Sequence, residues 1–177
     1  MTARSAAAVR EEAAYREAYG ITLSSRVRLA RNLRGLPFPD QAPAAVRGEV
    51  RRRVMEAARE TLPVQETLAE ATPLARLRLF EDHLISRNLL DGRAESALCM
   101  DAARRRAVMI NEEDHLRIQA LRPGLALREA WADATALDDL LEQRLDYAFS
   151  PALGYLTSCP SNVGTGLRAS VLMHLPG

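Results

Sequence analysis

The chain contains no lysine. All 24 of its basic residues are arginine, they face 23 acidic residues, and the net charge is only +1. A field so close to neutral gives no electrostatic footing for nucleic acid or an anionic membrane, and neither is expected as a partner. Genome composition is a sufficient cause for the missing lysine. The replacement still has a physical side, because a guanidinium fork grips two phosphate or carboxylate oxygens at once where an ammonium is a point charge. Cysteine is scarce too: Cys99 and Cys159 are the only two, too few for a disulfide framework. No apolar run approaches the roughly 20 residues that span a bilayer, and no secretory leader is read at the start. These absences together lead us to expect a soluble protein of a reducing cytoplasm. Internal repeats and low-complexity tracts are also lacking.

What is present is the composition of a folded domain. The 177 residues are 47% hydrophobic and 27% charged, enough to close one ordinary core. Residues 1–20, rich in Ala, Arg and Glu, predict a helix or terminal arm ending near Gly20. In the stretch that follows, Ile21, Leu23, Val27 and Leu29 share one parity, and Arg26 and Arg28 the other. A strand here would hold two guanidinium groups side by side on one face. That is unfavourable unless an anion neutralises them, so phosphate is indicated, with solvated arginines as the competing account. Leu36-Pro37-Phe38-Pro39 breaks the chain, and a helix is expected from Ala44 to Thr61, its Arg51-Arg52-Arg53 run facing solvent. Pro63 and Pro73 punctuate further helical stretches, and His83 is open to a structural or a functional reading. Ala97 to Met100 and Ala107 to Ile110 predict two short strands joined through Asp101 to Arg106.

The densest chemistry lies in Asn111-Glu112-Glu113-Asp114-His115-Leu116-Arg117-Ile118-Gln119. Leu116, Ile118 and Ala120 alternate with Glu113, His115, Arg117 and Gln119, the period of a half-buried strand. On such a strand Glu113 and Arg117 project from one face, a proton acceptor beside an anion-binding group. That suits phosphoryl transfer to a basic nucleophile, while a charged surface strand is the plainer alternative. From Leu127 to Phe149 apolar residues recur at helical spacing, with Trp131 expected in the core. Leu153 to Ser158 predicts a strand delivering Cys159 to its tip, before the polar loop Ser161 to Gly166. The last strand, Leu167 to Leu175, puts Arg168 and Ser170 on one face and Leu167, Ala169, Val171 and Met173 on the other. The sum is an α+β fold, a mostly antiparallel sheet flanked by helices, with arginines from three strands on the polar face and one glutamate among them.

Three blocks carry a resemblance. Ser24-Ser25-Arg26-Val27-Arg28-Leu29-Ala30-Arg31-Asn32, Asn111-Glu112-Glu113-Asp114-His115-Leu116-Arg117, and the stretch from Gly154 through Cys159-Pro160-Ser161-Asn162 to Ser170 resemble the signature blocks of the ATP:guanido phosphotransferases, in that family's order. Within the family the chain is most similar to the bacterial protein arginine kinases. Asp146-Tyr147-Ala148-Phe149 followed by Gly154-Tyr155-Leu156-Thr157 favours that branch, as does a first block that begins at position 24. The resemblance implies a guanido kinase (glutamine synthetase-like) catalytic domain over residues 21–177, with its C-terminal half not included. It implies ATP and Mg2+ as substrate and cofactor, with no metal-ligating residue in this part. Arg26, Arg28, His83, Arg117 and Arg168 would contact ATP, and Ser24, Ser25, Val27, Ala169, Ser170, Val171 and Leu172 would complete the nucleotide-binding set. Glu113 would orient the acceptor guanidinium and take its proton, and Cys159 would sit against it as a thiolate. The residue types fit. A guanidinium nitrogen becomes nucleophilic only as a proton leaves, a carboxylate can accept that proton, and arginines offset phosphate charge. Where the family has Thr after Cys-Pro, Ser161 keeps the hydroxyl, and little change is expected. The resemblance also implies arginine-containing protein substrates, a homodimer, a role in stress-linked protein quality control, an McsA-like activator and the Clp protease machinery. The alternatives are a truncated, catalytically silent nucleotide-binding or interaction module, and a kinase of a free guanidino metabolite.

Overall fold

Six strands pair into one wholly antiparallel sheet: β1 (Thr22–Arg31), β2 (Val64–Thr67), β3 (Ala97–Met100), β4 (Arg106–Ile110), β5 (Leu116–Pro123) and β8 (Leu167–Met173), in the order β2-β3-β4-β5-β1-β8. A computed structural model describes residues 21–175, and the arm or helix expected over residues 1–20 lies outside them. Two-residue strands β6 (Phe149–Ser150) and β7 (Gly154–Tyr155) make a separate small ribbon. The helices are α1 (Ala44–Ala58), α2 (Pro73–Glu81) and α3 (Leu127–Glu142), with single 3-10 turns at Arg87–Leu89 and Pro160–Asn162.

Alternation decides the two faces. On the back face Val27, Leu29, Cys99, Val108, Ile110, Leu116 and Ile118 are buried together with Val50 and Val54 of α1 and Ala130, Ala134, Leu137 and Leu141 of α3. Burial holds the Cys99 thiol up at about 12, so it is an inert apolar side chain. On the front face Leu98, Met100, Ala107 and Met109 pack under Leu79 of α2 and Leu68, Leu84, Ile85 and Leu89. Thr72 caps α2 by accepting the Ala75 amide at 3.2 Å, with Pro73 at the first helical position, where a missing N–H is harmless.

Four expectations need correction. The stretch 64–67 after Pro63 is strand, not helix, because it pairs with β3. The third helix stops at Glu142, and residues 146–148 turn back along Asn32 and Arg34 through the Arg34 N–H to Asp146 and the Ala148 N–H to Asn32. Trp131 is 55% exposed. The buried stripe of α3 runs through Ala130, Ala134, Leu137 and Leu141, since the helix lies across β5 and β1 and only grazes β8, and Trp131 falls on its flank. Finally, Leu153 to Ser158 forms no long strand, and Cys159 instead opens the 3-10 turn.

Candidate active site

Among the described residues no α-helix covers the front face over β5, β1 and β8, and it is there that the arginines gather. In the register of the sheet Arg28 stands between Gln119 of β5 and Arg168 of β8, Arg26 stands between Leu121 and Ser170, and Arg117 is opposite Ala30. Neighbours across strands stand about 5 Å apart at the backbone, so four guanidinium groups share one patch. Among the described residues only Arg117 has a carboxylate partner, Glu112, at 2.6 Å. The crowding is visible in their acidity. Burial and the charges of Arg26, Arg117 and Arg168 bring Arg28 down to about 10, and burial with Arg117 and Arg168 lowers Arg26. Guanidinium groups gathered in this way, with one carboxylate partner among the described residues, make an arrangement that an anion would stabilise.

Three adjoining clefts run over this patch. Ser24, Arg26, His83, Ser170, Val171 and Leu172 border the first, of about 130 Å³. Arg28, Glu112, Glu113, Arg117, Cys159 and Arg168 border the second, of about 180 Å³. The third, of about 230 Å³, shares Arg26 and His83 with the first and Arg28 and Arg117 with the second, so the three form one trough. His83 is held at a φ of +60°, a strained backbone for a non-glycine residue.

Glu113 reaches the trough by a route that strand parity does not show. Residues 111–115 are the loop of the β4–β5 hairpin, and the strand begins only at Leu116. Asn111 turns the chain at a φ of +56°, its carboxamide donating to the carbonyls of Arg47 and Glu95 at 2.8 and 2.7 Å. His115 does not share the front face with Glu113 and Arg117. It is fully buried, its Nδ1 accepting the Leu33 amide at 3.0 Å and its Nε2 facing the Pro37 carbonyl at 3.0 Å.

The loop bearing Cys159 is fastened on both sides. The Asp114 Oδ1 accepts the Ser158 amide at 2.7 Å and the Asn32 carboxamide at 2.6 Å, and burial raises its pKa against those bonds. Arg31, paired with Asp138 at 2.6 Å, donates to the Thr165 carbonyl and stacks 3.6 Å above the Tyr155 ring. Gly166 has a φ of +64° and lies so close to β1 that a Cβ would stand 2.6 Å from the Ala30 carbonyl oxygen. Cys159 Sγ lies 3.0 Å from the Ser161 hydroxyl.

The structure therefore brings Arg26, Arg28, Arg117, Arg168, Glu113, Cys159, His83, Ser24, Ser170, Val171 and Leu172 to one trough. It does not bring Ser25, Val27 or Ala169, which alternate along their strands with Ser24, Arg26, Arg28 and Arg168, although Val171 borders the first cleft between Ser170 and Leu172. The Ser25 hydroxyl donates to Gly124 O at 2.7 Å and accepts from Ala126 N at 2.9 Å, fastening the β5–α3 turn. Val27 is core, and Ala169 is its register partner. Glu112, Ser86, Asp114 and Gln119 were not singled out from the sequence. The acid-rich run was the available signal; Glu113 and Arg117 do share a cleft, but parity put His115 on the wrong face.

A family model described as ATP:guanido phosphotransferase, C-terminal catalytic domain, matches residues 47–177. The chain is 47% identical over 168 residues to a protein-arginine kinase of Pelotomaculum thermopropionicum, covering 89% of this chain and 46% of that one. It is 47% identical over 163 residues to another of Moorella thermoacetica, covering 88% and 47%. Among solved structures, the duplicated taurocyamine kinase of Schistosoma mansoni with bound transition state analogue components superposes with a TM-score of 0.80 at 29% identity, over 86% of this chain and 24% of that one. A lombricine kinase gives 0.75 at 26% identity, over 88% and 48%. The chain thus spans about half the length of the curated relatives it matches.

Proposed function

The chain belongs to the ATP:guanido phosphotransferase family, and from that membership we propose that it forms part of a protein arginine kinase, which moves the γ-phosphoryl group of ATP to the guanidinium of arginine residues in proteins. The observation that carries this reading is the single cleft bordered by Glu113, Cys159, Arg28, Arg117 and Arg168. The kinase names of its relatives, at 43–48% identity, support the choice of a protein substrate.

In this reading Arg26, Arg28, Arg117 and Arg168 hold the phosphates in the trough and offset the charge on the transferred group. A substrate guanidinium enters beside Glu113. As its nitrogen bonds to the γ-phosphorus and the bond to the β–γ bridging oxygen breaks, the departing proton passes to the Glu113 carboxylate and ADP leaves. Cys159, with the Ser161 hydroxyl 3.0 Å from its sulfur, lies against the acceptor and fixes its plane. Among the described residues no cluster of three or more His, Cys, Asp or Glu could hold a metal ion. Arg26, Arg28, Arg117 and Arg168 would hold the phosphates of a magnesium nucleotide in the trough, and Mg2+ bound with it would supply further charge neutralisation. A homodimer, an McsA-like activator, the Clp protease machinery and a cytoplasmic setting rest on the resemblance of the three sequence blocks. Among the described residues no helix is long and apolar enough to cross a membrane.

The test is mass spectrometry under neutral conditions, on an arginine-rich protein incubated with MgATP and a chain completed to the length of its relatives. Phosphoarginine is the expected product; phosphoserine alone, or no transfer, overturns the reading. The likeness to taurocyamine and lombricine kinases favours one other reading, a small guanidino compound as acceptor. Free arginine or creatine offered beside the protein separates the two.

A further inference from the structure

Glu112 has no part in the chemistry above, yet its side chain is the most deeply placed charge in the trough, 2% exposed. Its Oε2 accepts Arg117 Nη1 at 2.6 Å, and its Oε1 accepts the Ser86 hydroxyl at 2.6 Å and the Asn88 carboxamide at 3.2 Å. Both oxygens are engaged. Among the described residues Arg117 makes no side-chain hydrogen bond but this one, so its other N–H groups are left to face an incoming anion.

A carboxylate is an odd neighbour for a phosphate site. Four arginines gathered to attract an anion attract it less with a negative charge among them, so raw affinity does not explain Glu112. Orientation does. A guanidinium on a long flexible stem loses rotamer freedom when it is fixed. If it is fixed before the nucleotide arrives, the phosphates meet a donor already aimed. The same carboxylate holds residues 86–88, just after His83 on the trough wall, and the Gln119 carboxamide holds that wall again through the His83 carbonyl at 3.0 Å. The catalytic hairpin, the wall and Arg117 are thus joined at one buried group.

We propose that Glu112 is a positioning residue that orients Arg117 toward the phosphates and locks the 83–88 wall to the catalytic hairpin, a role that deepens the kinase reading and rests on it for the identity of the anion. Glu112→Gln keeps the shape but puts an amide donor against either Arg117 or Ser86. Two readouts follow, in the present chain. In nitrogen-detected NMR without nucleotide, rotation of the Arg117 guanidinium about its Cζ–Nε bond is slow in the wild type and fast in Glu112→Gln, with Arg168 unchanged. By calorimetry, MgATP affinity falls about tenfold in Glu112→Gln and does not change further when Glu112→Gln is added to Arg117→Ala, the signature of action through Arg117. Should Glu112→Gln not fold, Glu112→Asp, which keeps the charge but retracts it, is expected to free the guanidinium in the same way. Free rotation of Arg117 in the wild type overturns the proposal. So does tighter MgATP binding in Glu112→Gln, or an equal loss in both backgrounds. A wild type with Arg117 restrained by Glu112 but no affinity for MgATP leaves the positioning role standing and removes the kinase reading instead.

Discussion

Over β2, β3 and β4 the front face of the sheet is dry, with Leu98, Met100, Ala107 and Met109 sealed under α2 and the residues that follow it. Over β5, β1 and β8 the same face carries Arg117, Arg26, Arg28 and Arg168, with no α-helix laid over them among the described residues. The pleat and the pairing are continuous across both halves. What differs is the cover, and the border falls along β5, where Met109 is the register partner of Arg117. The border residue Gln119 is fully buried, donates to the covering segment and leaves its carbonyl oxygen without a partner among the described residues. The dry half can hold the sheet rigid, so the charged half can stay assembled in spite of the burial and the repulsion that bring Arg28 down to about 10. Stability and chemistry are therefore expected to respond to different substitutions.

The largest effect belongs to the charged half. Glu113 borders the cleft it shares with Cys159, Arg28 and Arg168 and makes no side-chain hydrogen bond among the described residues. Glu113→Gln should lower phosphoarginine formation in the completed chain by about 10²–10⁴-fold, the usual contribution of a general base. The denaturation midpoint should stay within about 0.5 kcal/mol of the wild type. A parallel loss of stability would mean that the carboxylate supports the fold instead.

Next comes a direct exchange between the halves. Leu98, fully buried in the front cluster, truncated to Ala should destabilise by about 2–5 kcal/mol in urea unfolding, with MgATP affinity unchanged in the folded fraction. Arg28→Ala should do the reverse. It relieves repulsion from Arg26, Arg117 and Arg168, so stability should hold or rise. It also removes a charged donor, so MgATP affinity should fall by about 1.5–3 kcal/mol in calorimetry. If both substitutions destabilise alike, the two halves are one structural unit and the comparison fails.

The charged half was the more legible in the sequence, for a physical reason. Side-chain alternation survives wherever the chain stays extended, so Arg26, Arg28 and Arg168 could be assigned to one face from parity alone, and their register agrees. Alternation is lost wherever the chain reverses. Asn111, at a φ of +56°, resets the phase, and for that reason Glu113 is in a loop and His115 faces the interior. Helical spacing showed that α3 has an apolar stripe but not what the helix lies across, and so Trp131 was misplaced. The role of Glu112 depends on Ser86 and Asn88, distant in sequence, and no local pattern announces such a partner.

The smallest effect tests how independent the two regions are under acid. His115 lies behind the site, with Nδ1 accepting the Leu33 amide and Nε2 at the Pro37 carbonyl. That arrangement needs the neutral ring with its proton on Nε2, since a proton on Nδ1 would face the Leu33 N–H. Burial accordingly lowers the His115 pKa below 6.5, the Pro37 contact only partly opposing it. The unfolded chain takes up this proton near pH 6.5 while the folded chain resists. Protons therefore favour unfolding, and the His115 share of stability is whole above about pH 6.5. It declines as pH falls toward the folded value, by at most about 1.4 kcal/mol per pH unit. Glu112 titrates far from this window. Burial would raise it, but the charge of Arg117 and the bonds from Ser86 and Arg117 hold it below the usual glutamate range. Between pH 7 and 5 urea midpoints should therefore drop in the wild type, and the drop should shrink in His115→Gln, whose amide cannot take up a proton. MgATP affinity per folded molecule should change with pH alike in the wild type and in His115→Gln, because His83, which borders the trough, is common to both. If affinity falls more steeply in the wild type, the hairpin transmits the protonation of His115 to Glu113 and Arg117, and the two regions are coupled.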